Sequence, residues 1–362
     1  MSRLVAFLFD TSQFSGPSMT LLGGNLLVLA VLFAVGRYLR KQSESMIDPA
    51  VIRSFDRRIV GWIAILVILV LALMVNRTFT LVFFGFLSFW ALREFITMTP
   101  TRRGDHRTLF WVFFLFTPLQ YFLVALQDLS FLPNLPNRER FAELFIFIIP
   151  VYASLFVAGR IAFADDAKRY LERIAKIQFG LLICVFAISH APALLYLEPL
   201  RTFNAEANAW EIWTTGTTTG LLLYFVIIVQ ISDLLHFVWD RMAGRHVIAP
   251  SINANRTWEG LTGSACCTLV IGMFIQAVMP ITPFQIVGSG LMACLISVMA
   301  SSGSMTMSAI KRDRGVQDFG TLVQGHAGIL DRIDSICFAA PIFFHVTRFF
   351  LATQHVPGNG VQ

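Results

Sequence analysis

The chain has 362 residues, of which 56% are hydrophobic and only 14% are charged, and its mean hydropathy is +0.68. This composition excludes an ordinary soluble globular domain and indicates a polytopic membrane protein. A net charge of +6 could suggest nucleic-acid binding, but the basic residues are dispersed between apolar segments, so membrane topology explains them better.

Apolar runs recur along the chain at lengths near the roughly 20 residues that a helical span needs. Most are apolar on every side, and none alternates in the manner of a strand, which favours a helical bundle. The predicted fold is an all-α polytopic integral membrane protein, a bundle of about ten transmembrane helices with its functional loops on one side. The predicted spans are 19–36, 59–75, 78–92, 108–127, 142–159, 177–197, 217–239, 261–279, 285–303 and 335–352.

The positions of Lys and Arg test this assignment, because a correct set of spans should leave most of them on one side of the membrane. Most of the 28 basic residues do fall in alternate connectors, which places both termini outside and these connectors in the cytoplasm. The connectors concerned are 37–58, 93–107, 160–176, 240–260 and 304–334.

The first part of the chain, 1–200, is predicted to hold about six transmembrane helices and little chemistry. Arg93 and Glu94, at an inner helix end, are expected to form an interfacial ion pair, the lesser alternative being that they line a polar cavity. The basic segment 160–176 is expected to be one amphipathic helix on the membrane surface. Polar motifs concentrate in the second part, 201–362, which we predict to be the catalytic region.

Asp233 lies more than one turn inside the seventh predicted span, and His236 and Asp240 share its helical face. An uncompensated carboxylate in hydrocarbon costs roughly 2.5–3.5 kcal/mol, so this face should border a polar cavity. In the connector that follows, Thr257 is expected to cap the eighth helix, with Gly260 allowing close backbone approach. Arg256 beside that helix start would offer a seat for an anion.

The most polar stretch of the chain, 308–334, separates the last two predicted spans. Cations that could hold phosphates and carboxylates that could hold a divalent metal are the groups that phosphoryl or nucleotidyl transfer requires. Positive charges beside a span can serve topology alone, but topology needs no carboxylates and no Gly-His-x-Gly turn. The stretch contains Lys311, Arg312, Arg314 and Arg332, Asp313, Asp318, Asp331 and Asp334, and His326 between Gly325 and Gly328.

This stretch resembles the signature of the CDP-diacylglycerol synthases, also called phosphatidate cytidylyltransferases. The resemblance covers about the C-terminal 130 residues. Positions in register with the signature are Ser308, Ile310, Lys311, Arg312, Asp318, Gly320, His326, Gly328, Ile329, Asp331, Arg332, Ile333 and Asp334. A second family motif is represented by Asp233, Gly244, Thr257, Trp258, Glu259 and Gly260.

The resemblance implies a membrane nucleotidyltransferase that transfers CMP from CTP to phosphatidate, with Mg²⁺ or Mn²⁺ as cofactor and no nucleic-acid partner. We expect the protein in a bacterial inner membrane, with its site facing the cytoplasm. A homodimer is compatible with this assignment. The implied metal ligand is Asp331, with Asp334 and Asp318 as helpers. The other implied roles are phosphate binding by Lys311, Arg312 and Arg332, and contacts to substrate or to a metal ligand by Ser308, His326, Asp233, Arg256 and Glu259.

Several positions depart from the family pattern. Ser304 follows Gly303 where the family commonly has Asp, and a hydroxyl is a poorer metal ligand than a carboxylate. Gln317, Gln324 and Ala327 also replace usual residues. If that Asp helps hold a metal in the family, this chain must recruit another carboxylate, bind one ion fewer, or be a divergent paralogue with altered activity. Two alternative functions stay open: a CTP-dependent lipid kinase, or a catalytically reduced paralogue that binds lipid or serves as a scaffold.

Overall fold

The computed structural model describes residues 16–41, 49–99, 101–127, 138–197, 201–204, 209–212, 217–316 and 328–353. This part of the chain is almost entirely helical. The helices are α1 (Gly16–Lys41), α2 (Pro49–Val75), α3 (Arg77–Met98), α4 (His106–Ala125), α5 (Arg138–Phe147, Ile148–Ala153 and Ser154–Ala162), α6 (Tyr170–Tyr196), α7 (Thr218–Met242), α8 (Trp258–Val278), α9 (Ile286–Asp313) and α10 (Leu330–Thr353).

Nine helices within the described residues are long and apolar enough to cross a membrane, and α1 contains a shorter apolar stretch, Gly16–Val31. The prediction of an all-α polytopic membrane protein with about ten helices is therefore confirmed. Every predicted span overlaps one of these helices, because the thickness of a bilayer fixes the length of apolar chain that must cross it.

Local chemistry explains several helix features. Asn76 separates α2 from α3, and its Oδ1 accepts a 2.6 Å hydrogen bond from Phe79 N, which caps α3. Helices α4, α5 and α6 each include a π-helical turn. In α4 the Thr117 hydroxyl donates to Val112 O at 2.9 Å, so the side chain binds a carbonyl at the irregular turn.

Four short strands form two antiparallel hairpins, β1 (Arg201–Asn204) with β2 (Ala209–Ile212) and β3 (Val247–Ala249) with β4 (Asn253–Thr257). The second hairpin lies in the connector between α7 and α8. It continues directly into α8, whose first residue, Trp258, donates its backbone N–H to His246 O at 2.9 Å. The hairpin therefore holds the start of α8 beside the end of α7.

The basic segment 160–176 is not one helix, so that expectation was wrong. Helix α5 ends at Ala162 and α6 begins at Tyr170. Between them Asp165 and Arg169 adopt positive φ angles of 53° and 51°, which a continuous helix does not allow. Arg173, expected on a membrane-facing surface, instead donates from Nε to Asp105 Oδ1 at 2.9 Å and is buried.

We call Arg102, Asp105, Asp166 and Arg173 the connector cluster. Arg102 Nη1 donates to Asp166 Oδ2 at 3.0 Å, and Arg173 Nη1 donates to the backbone oxygen of Asp166 at 2.6 Å. Asp105 also accepts from the backbone N–H of Arg102 at 3.0 Å. The cluster joins the segment before α4 to the segment before α6.

Helix α7 is largely enclosed by the bundle, and its residues 219–230 are all buried. Small residues bring its neighbours close together. A Cβ at Gly303 of α9 would lie 2.6 Å from the backbone oxygen of Asp334 in α10, so only glycine permits this contact. The end of α9 and the start of α10 are thereby placed against the end of α7, where the polar residues gather.

Candidate active site

A cavity of roughly 400 Å³ lies where α7 and α9 end and α10 begins. Five elements contribute to it, including α2 from the first part of the chain. The lining residues are Arg58, Gly61, Trp62 and Ile65 of α2; Asp233, Phe237, Asp240 and Arg241 of α7; Asn253, Asn255 and Arg256 of β4; Ser304, Ser308 and Lys311 of α9; and Asp331, Arg332, Asp334 and Ser335 of α10.

Cations and carboxylates alternate around this cavity, and some of them pair directly. Lys311 Nζ lies 2.9 Å from Asp331 Oδ1. Arg256 donates from Nη2 to Ser304 Oγ at 3.1 Å, and its Nη1 lies 3.7 Å from Asp240 Oδ2. These pairs hold β4, α7, α9 and α10 together at the cavity wall.

Three other arginines of the lining differ. Within the part of the chain that the structure describes, Arg58, Arg241 and Arg332 have no carboxylate oxygen within 4 Å of their guanidinium nitrogens. Cations without a carboxylate partner in a concave site are suited to binding an anionic ligand.

The start of α10 is fixed by a residue far away in the chain. Glu94 of α3 is buried and accepts hydrogen bonds from the backbone N–H groups of Ile329 at 3.1 Å and Leu330 at 2.9 Å. A carboxylate at a helix start satisfies N–H groups that have no partner in the helix and is favoured by the helix dipole. Glu94 therefore sets the position of the helix turn that carries Asp331.

Arg93 and Glu94 do not form the expected ion pair with each other. The Arg93 guanidinium lies over the Trp90 ring at 5.2 Å from its centroid, whereas Glu94 caps α10. Consecutive helical residues point about 100° apart, so one can face the membrane surface while the other faces the bundle.

Asp233 and Asp334 meet around one hydroxyl. Ser335 Oγ lies 3.0 Å from each carboxylate oxygen of Asp233 and 3.4 Å from Asp334 Oδ1. The backbone N–H of Ser335 also donates to Asp334 Oδ1 at 2.7 Å. The intramembrane carboxylate thus borders a polar cavity, as its position in an apolar helix predicts.

Asp240 connects α7 to the start of α8. Its Oδ1 accepts from Thr257 N at 3.0 Å and from Thr257 Oγ1 at 2.8 Å. Thr257 caps α8 by accepting from Gly260 N at 3.0 Å, which confirms the predicted cap. A Cβ at Gly260 would overlap Asp240 Oδ1, so glycine is required for this close approach.

Comparison with known proteins identifies the family. Residues 56–350 match the family model described as the cytidylyltransferase family. The chain belongs to the cytidylyltransferase family. It is a nucleotidyltransferase of the CDP-diacylglycerol synthase type, integral to a membrane, and family members act in phospholipid biosynthesis.

Individual relatives differ in how much of the chain they cover. The uncharacterized protein YnbB of Escherichia coli K12 is 31% identical over 292 residues, covering 81% of this chain and 87% of that protein. A phosphatidate cytidylyltransferase of Haemophilus influenzae is 36% identical over 138 residues, which are 36% of this chain and 46% of that protein. Phosphatidate cytidylyltransferase 4, chloroplastic, of Arabidopsis thaliana is 30% identical over 209 residues, 54% of this chain and 51% of that protein. The matches to these two named enzymes span about half of each enzyme's length.

The cytidylyltransferase cavity gathers most of the residues proposed for its site from the sequence. The lining includes Asp233, Arg256, Ser308, Lys311, Asp331, Arg332 and Asp334. Ser308 donates to Ser304 O at 2.8 Å and accepts from Asn253 Nδ2 at 3.3 Å, which joins α9 to β4. Asp318 and His326 lie outside the described residues.

Arg312 and Glu259 are not brought into the lining. Arg312 Nε donates to Ile252 O at 3.2 Å and so contacts the turn of the β3–β4 hairpin. Glu259 accepts from His246 Nδ1 at 2.5 Å and from the backbone N–H groups of Arg245 and His246. Both side chains hold the connector between α7 and α8, which explains a charged residue at each position without a substrate contact.

Sequence reasoning missed the position of Arg58 in the cavity and the contact of Glu94 with the start of α10. Arg58 was counted among basic residues that set topology, but α2 begins at Pro49, so Arg58 lies more than two turns inside a helix. Glu94 belongs to an inner helix end where a carboxylate gains nothing from topology. In both cases the signal was a charged residue within a helix at the end of an apolar run.

The carboxylates of the lining fit a divalent metal in their chemistry. Mg²⁺ prefers oxygen ligands and is usually held by one or two carboxylates together with substrate phosphates and water. Within the described residues no group of three His, Cys, Asp or Glu side chains is placed to hold an ion. One or two of these aspartates would therefore have to share a metal with the phosphates of a nucleotide.

Proposed function

We propose that this cytidylyltransferase acts on phosphatidate, transferring CMP from CTP to give CDP-diacylglycerol and pyrophosphate. The observation that carries the proposal is the cavity at the end of an apolar bundle, where four aspartates lie beside Arg58 and Arg332, which have no carboxylate oxygen within 4 Å among the described residues. Such a site suits a reaction in which both substrates are phosphates and one of them is a lipid.

The reaction forms one phosphorus–oxygen bond and breaks another. An oxygen of the lipid phosphate attacks the α-phosphorus of CTP, and the bond from that phosphorus to the bridging oxygen of the β-phosphate breaks, so pyrophosphate leaves. A phosphate monoester is largely dianionic at neutral pH, so the nucleophile needs no strong general base. What the site must supply is orientation and positive charge.

The lining residues divide these tasks. Lys311 of α9 and Arg256 of β4 would hold the triphosphate. Asp331 of α10 positions Lys311, and Ser304 of α9 positions Arg256. Ser308, whose hydroxyl donates to Ser304 O, would have to turn that hydroxyl to donate to a phosphate oxygen from the same side. Arg332 would hold a substrate phosphate, and Asp233 would close the site on the membrane side.

Asp331 and Asp334 are the proposed ligands of Mg²⁺ or Mn²⁺. A bound divalent cation would neutralise charge on the phosphates during transfer. The two carboxylates lie one turn apart at the start of α10, so both can reach the same part of the cavity. Glu94 would act indirectly, as the residue that positions this turn.

We further propose that the site faces the cytoplasm of a bacterial inner membrane. The excess of Lys and Arg in the connectors on the cavity side supports this orientation. CTP would then reach the cavity from the cytoplasm and the lipid from the membrane.

The test uses purified protein in detergent with phosphatidate, Mg²⁺ and CTP labelled at the α-phosphate. We expect label in the lipid product. A parallel reaction with γ-labelled CTP separates the classes, because a lipid kinase would move the γ-label and not the α-label. Absence of α-label from lipid under conditions where a known synthase works would contradict the proposal.

Ser304 favours one second candidate, a catalytically reduced paralogue that binds lipid. Its hydroxyl, which accepts from Arg256, stands where the family commonly has a carboxylate. If wild type is inactive and Ser304→Asp gains transfer of the α-label, the chemistry has been lost in a site that keeps the family arrangement.

A further inference from the structure

The lining of the cavity is divided into two chemically different walls. Its apolar side chains, Trp62, Ile65 and Phe237, all belong to α2 and α7. The part of the lining formed by β4 and α9 offers only polar and charged side chains. A ligand that is charged at one end and apolar at the other would be matched by the α2–α7 wall, whereas a nucleotide would be matched by the β4–α9 wall.

Arg58 is the charged residue of α2 on the first of these walls. Its guanidinium carbon lies 5.2 Å from the centroid of the Phe237 ring. Stacking on an aromatic face occupies the plane of a guanidinium and leaves its N–H edge available for donation. Among the described residues no carboxylate oxygen lies within 4 Å of Arg58, so the edge is not occupied by an ion pair.

Gly61 allows a second guanidinium, that of Arg332, to approach α2 closely. It lies three residues after Arg58, on the next turn of α2, and a Cβ at this position would overlap Arg332 Nη1. Any other residue at position 61 would displace Arg332. Two guanidinium groups therefore line the α2 side of the cavity, and neither is neutralised by a carboxylate in the described part of the protein.

We propose that Arg58 and Arg332 bind the phosphate of the lipid acceptor. Gly61 leaves the space that Arg332 occupies. The apolar part of the lipid contacts Trp62, Ile65 and Phe237. This inference rests on the proposed function and adds Arg58, which lies outside the motifs read from the sequence, as a residue that binds and positions the lipid. A phosphate monoester carries up to two negative charges, which are complemented by two guanidinium groups that have no carboxylate oxygen within 4 Å among the described residues. The phosphate concerned is that of the lipid and not that of CTP.

Kinetics on variants separate these two phosphates. Arg58→Ala should raise the apparent KM for dioctanoyl phosphatidate about 10- to 100-fold, with the lipid concentration expressed as mole fraction in mixed micelles. This is the effect of losing one or two hydrogen bonds to a charged group. The KM for CTP should stay within about twofold. Arg58→Lys should recover part of the loss, and Gly61→Ala should raise the lipid KM by displacing Arg332.

Arg93→Ala is the matched control. It also removes a guanidinium that lies 5.2 Å from an aromatic centroid, but Arg93 is outside the cavity lining. We expect wild-type KM values for both substrates. A general loss of packing or surface charge would affect this variant as well, whereas a lipid-binding role would not.

A second readout does not depend on turnover. Without CTP, dioctanoyl phosphatidate should raise the thermal unfolding midpoint of the wild-type protein in detergent more than dioctanoyl phosphatidylcholine does. Arg58→Ala should lose this difference and Arg93→Ala should keep it. If wild type transfers no label but shows the Arg58-dependent difference, the proposed function fails and the lipid site stands.

Several results would overturn the inference. One is an active enzyme in which Arg58→Ala leaves the lipid KM and the phosphatidate-dependent stabilisation unchanged. Another is a raised KM for CTP alone, which would assign Arg58 to the nucleotide. A third is a wild-type protein that neither turns over nor is stabilised by phosphatidate. Should the Arg58 variants fail to fold, an unchanged lipid KM in Gly61→Ala would be decisive against it.

Discussion

Two groups of charged residues in this protein contain the same types of side chain but serve different purposes. In the connector cluster, Arg173 is 5% exposed and its guanidinium is bound by Asp105 and by the backbone of Asp166. In the cavity, Arg58 and Arg332 have no carboxylate partner among the described residues. The first group is complete within the protein, and the second has binding capacity left for a ligand.

The comparison teaches that charge alone does not mark a functional site. By sequence the connector cluster belongs to basic segments as prominent as the signature stretch. What distinguishes the two is whether each charge is satisfied internally, because a buried charge without a partner is costly unless a ligand or water compensates it. Mutations should therefore affect stability in the connector cluster and activity in the cavity.

The largest expected effect is at Asp331. Asp331→Asn keeps the size of the side chain but removes the charge that would hold a metal, and we expect activity to fall by about 10²–10³-fold, the scale for loss of one group that stabilises the transition state. The thermal unfolding midpoint should fall less than in Asp105→Asn, because the Lys311–Asp331 pair is more exposed than the Arg173–Asp105 pair. Transfer of α-labelled CMP to lipid measures the activity, and near-normal transfer would remove Asp331 from the site.

Asp105→Asn should show the reverse behaviour. It breaks a buried ion pair and leaves Arg173 without its main partner, at a cost of about 3–5 kcal/mol in the free energy of unfolding. Activity per folded molecule should stay within about twofold of wild type. Unfolding in detergent measures the first quantity, with Asp166→Asn, at a more exposed position, as a milder control. A stable but inactive Asp105→Asn would break the distinction between the two groups.

Glu94 connects structure and activity, so its substitution should affect both moderately. Glu94→Gln replaces the charged acceptor of two backbone N–H groups at the start of α10, and we expect a loss of about 1–2 kcal/mol in stability and about tenfold in transfer rate. Glu143→Gln, which changes an exposed glutamate of α5, is the control and should alter neither. An unchanged rate together with lowered stability would restrict Glu94 to a structural role.

The smallest effect is expected at Ser304. A carboxylate there would lie next to Arg256 and could add an oxygen ligand for a metal, so Ser304→Asp should lower the Mg²⁺ concentration for half-maximal activity by a few-fold. Ser304→Asn, of similar size without the charge, should not. Equal Mg²⁺ dependence in both variants would mean that position 304 lies beyond reach of the metal.

The sequence by itself determined the membrane fold and the local features of the site. Hydropathy located the spans because each must match the thickness of the bilayer. Thr257 was recognised as a cap because capping depends only on residues three positions apart. The turn that separates Asp331 from Asp334 is likewise a property of one helix, so their shared position could be read without knowing what surrounds them.

Only the tertiary structure decided which distant groups meet. Glu94 reaches the start of α10 from more than 230 residues away, and Arg58 enters the cavity from α2, because helix packing and not sequence spacing sets those contacts. The same packing turns Arg312 and Glu259 toward the connector, although their motif positions suggested substrate. A helix offers a side chain to whichever neighbour lies on that face, and the neighbour is fixed only when the whole bundle assembles.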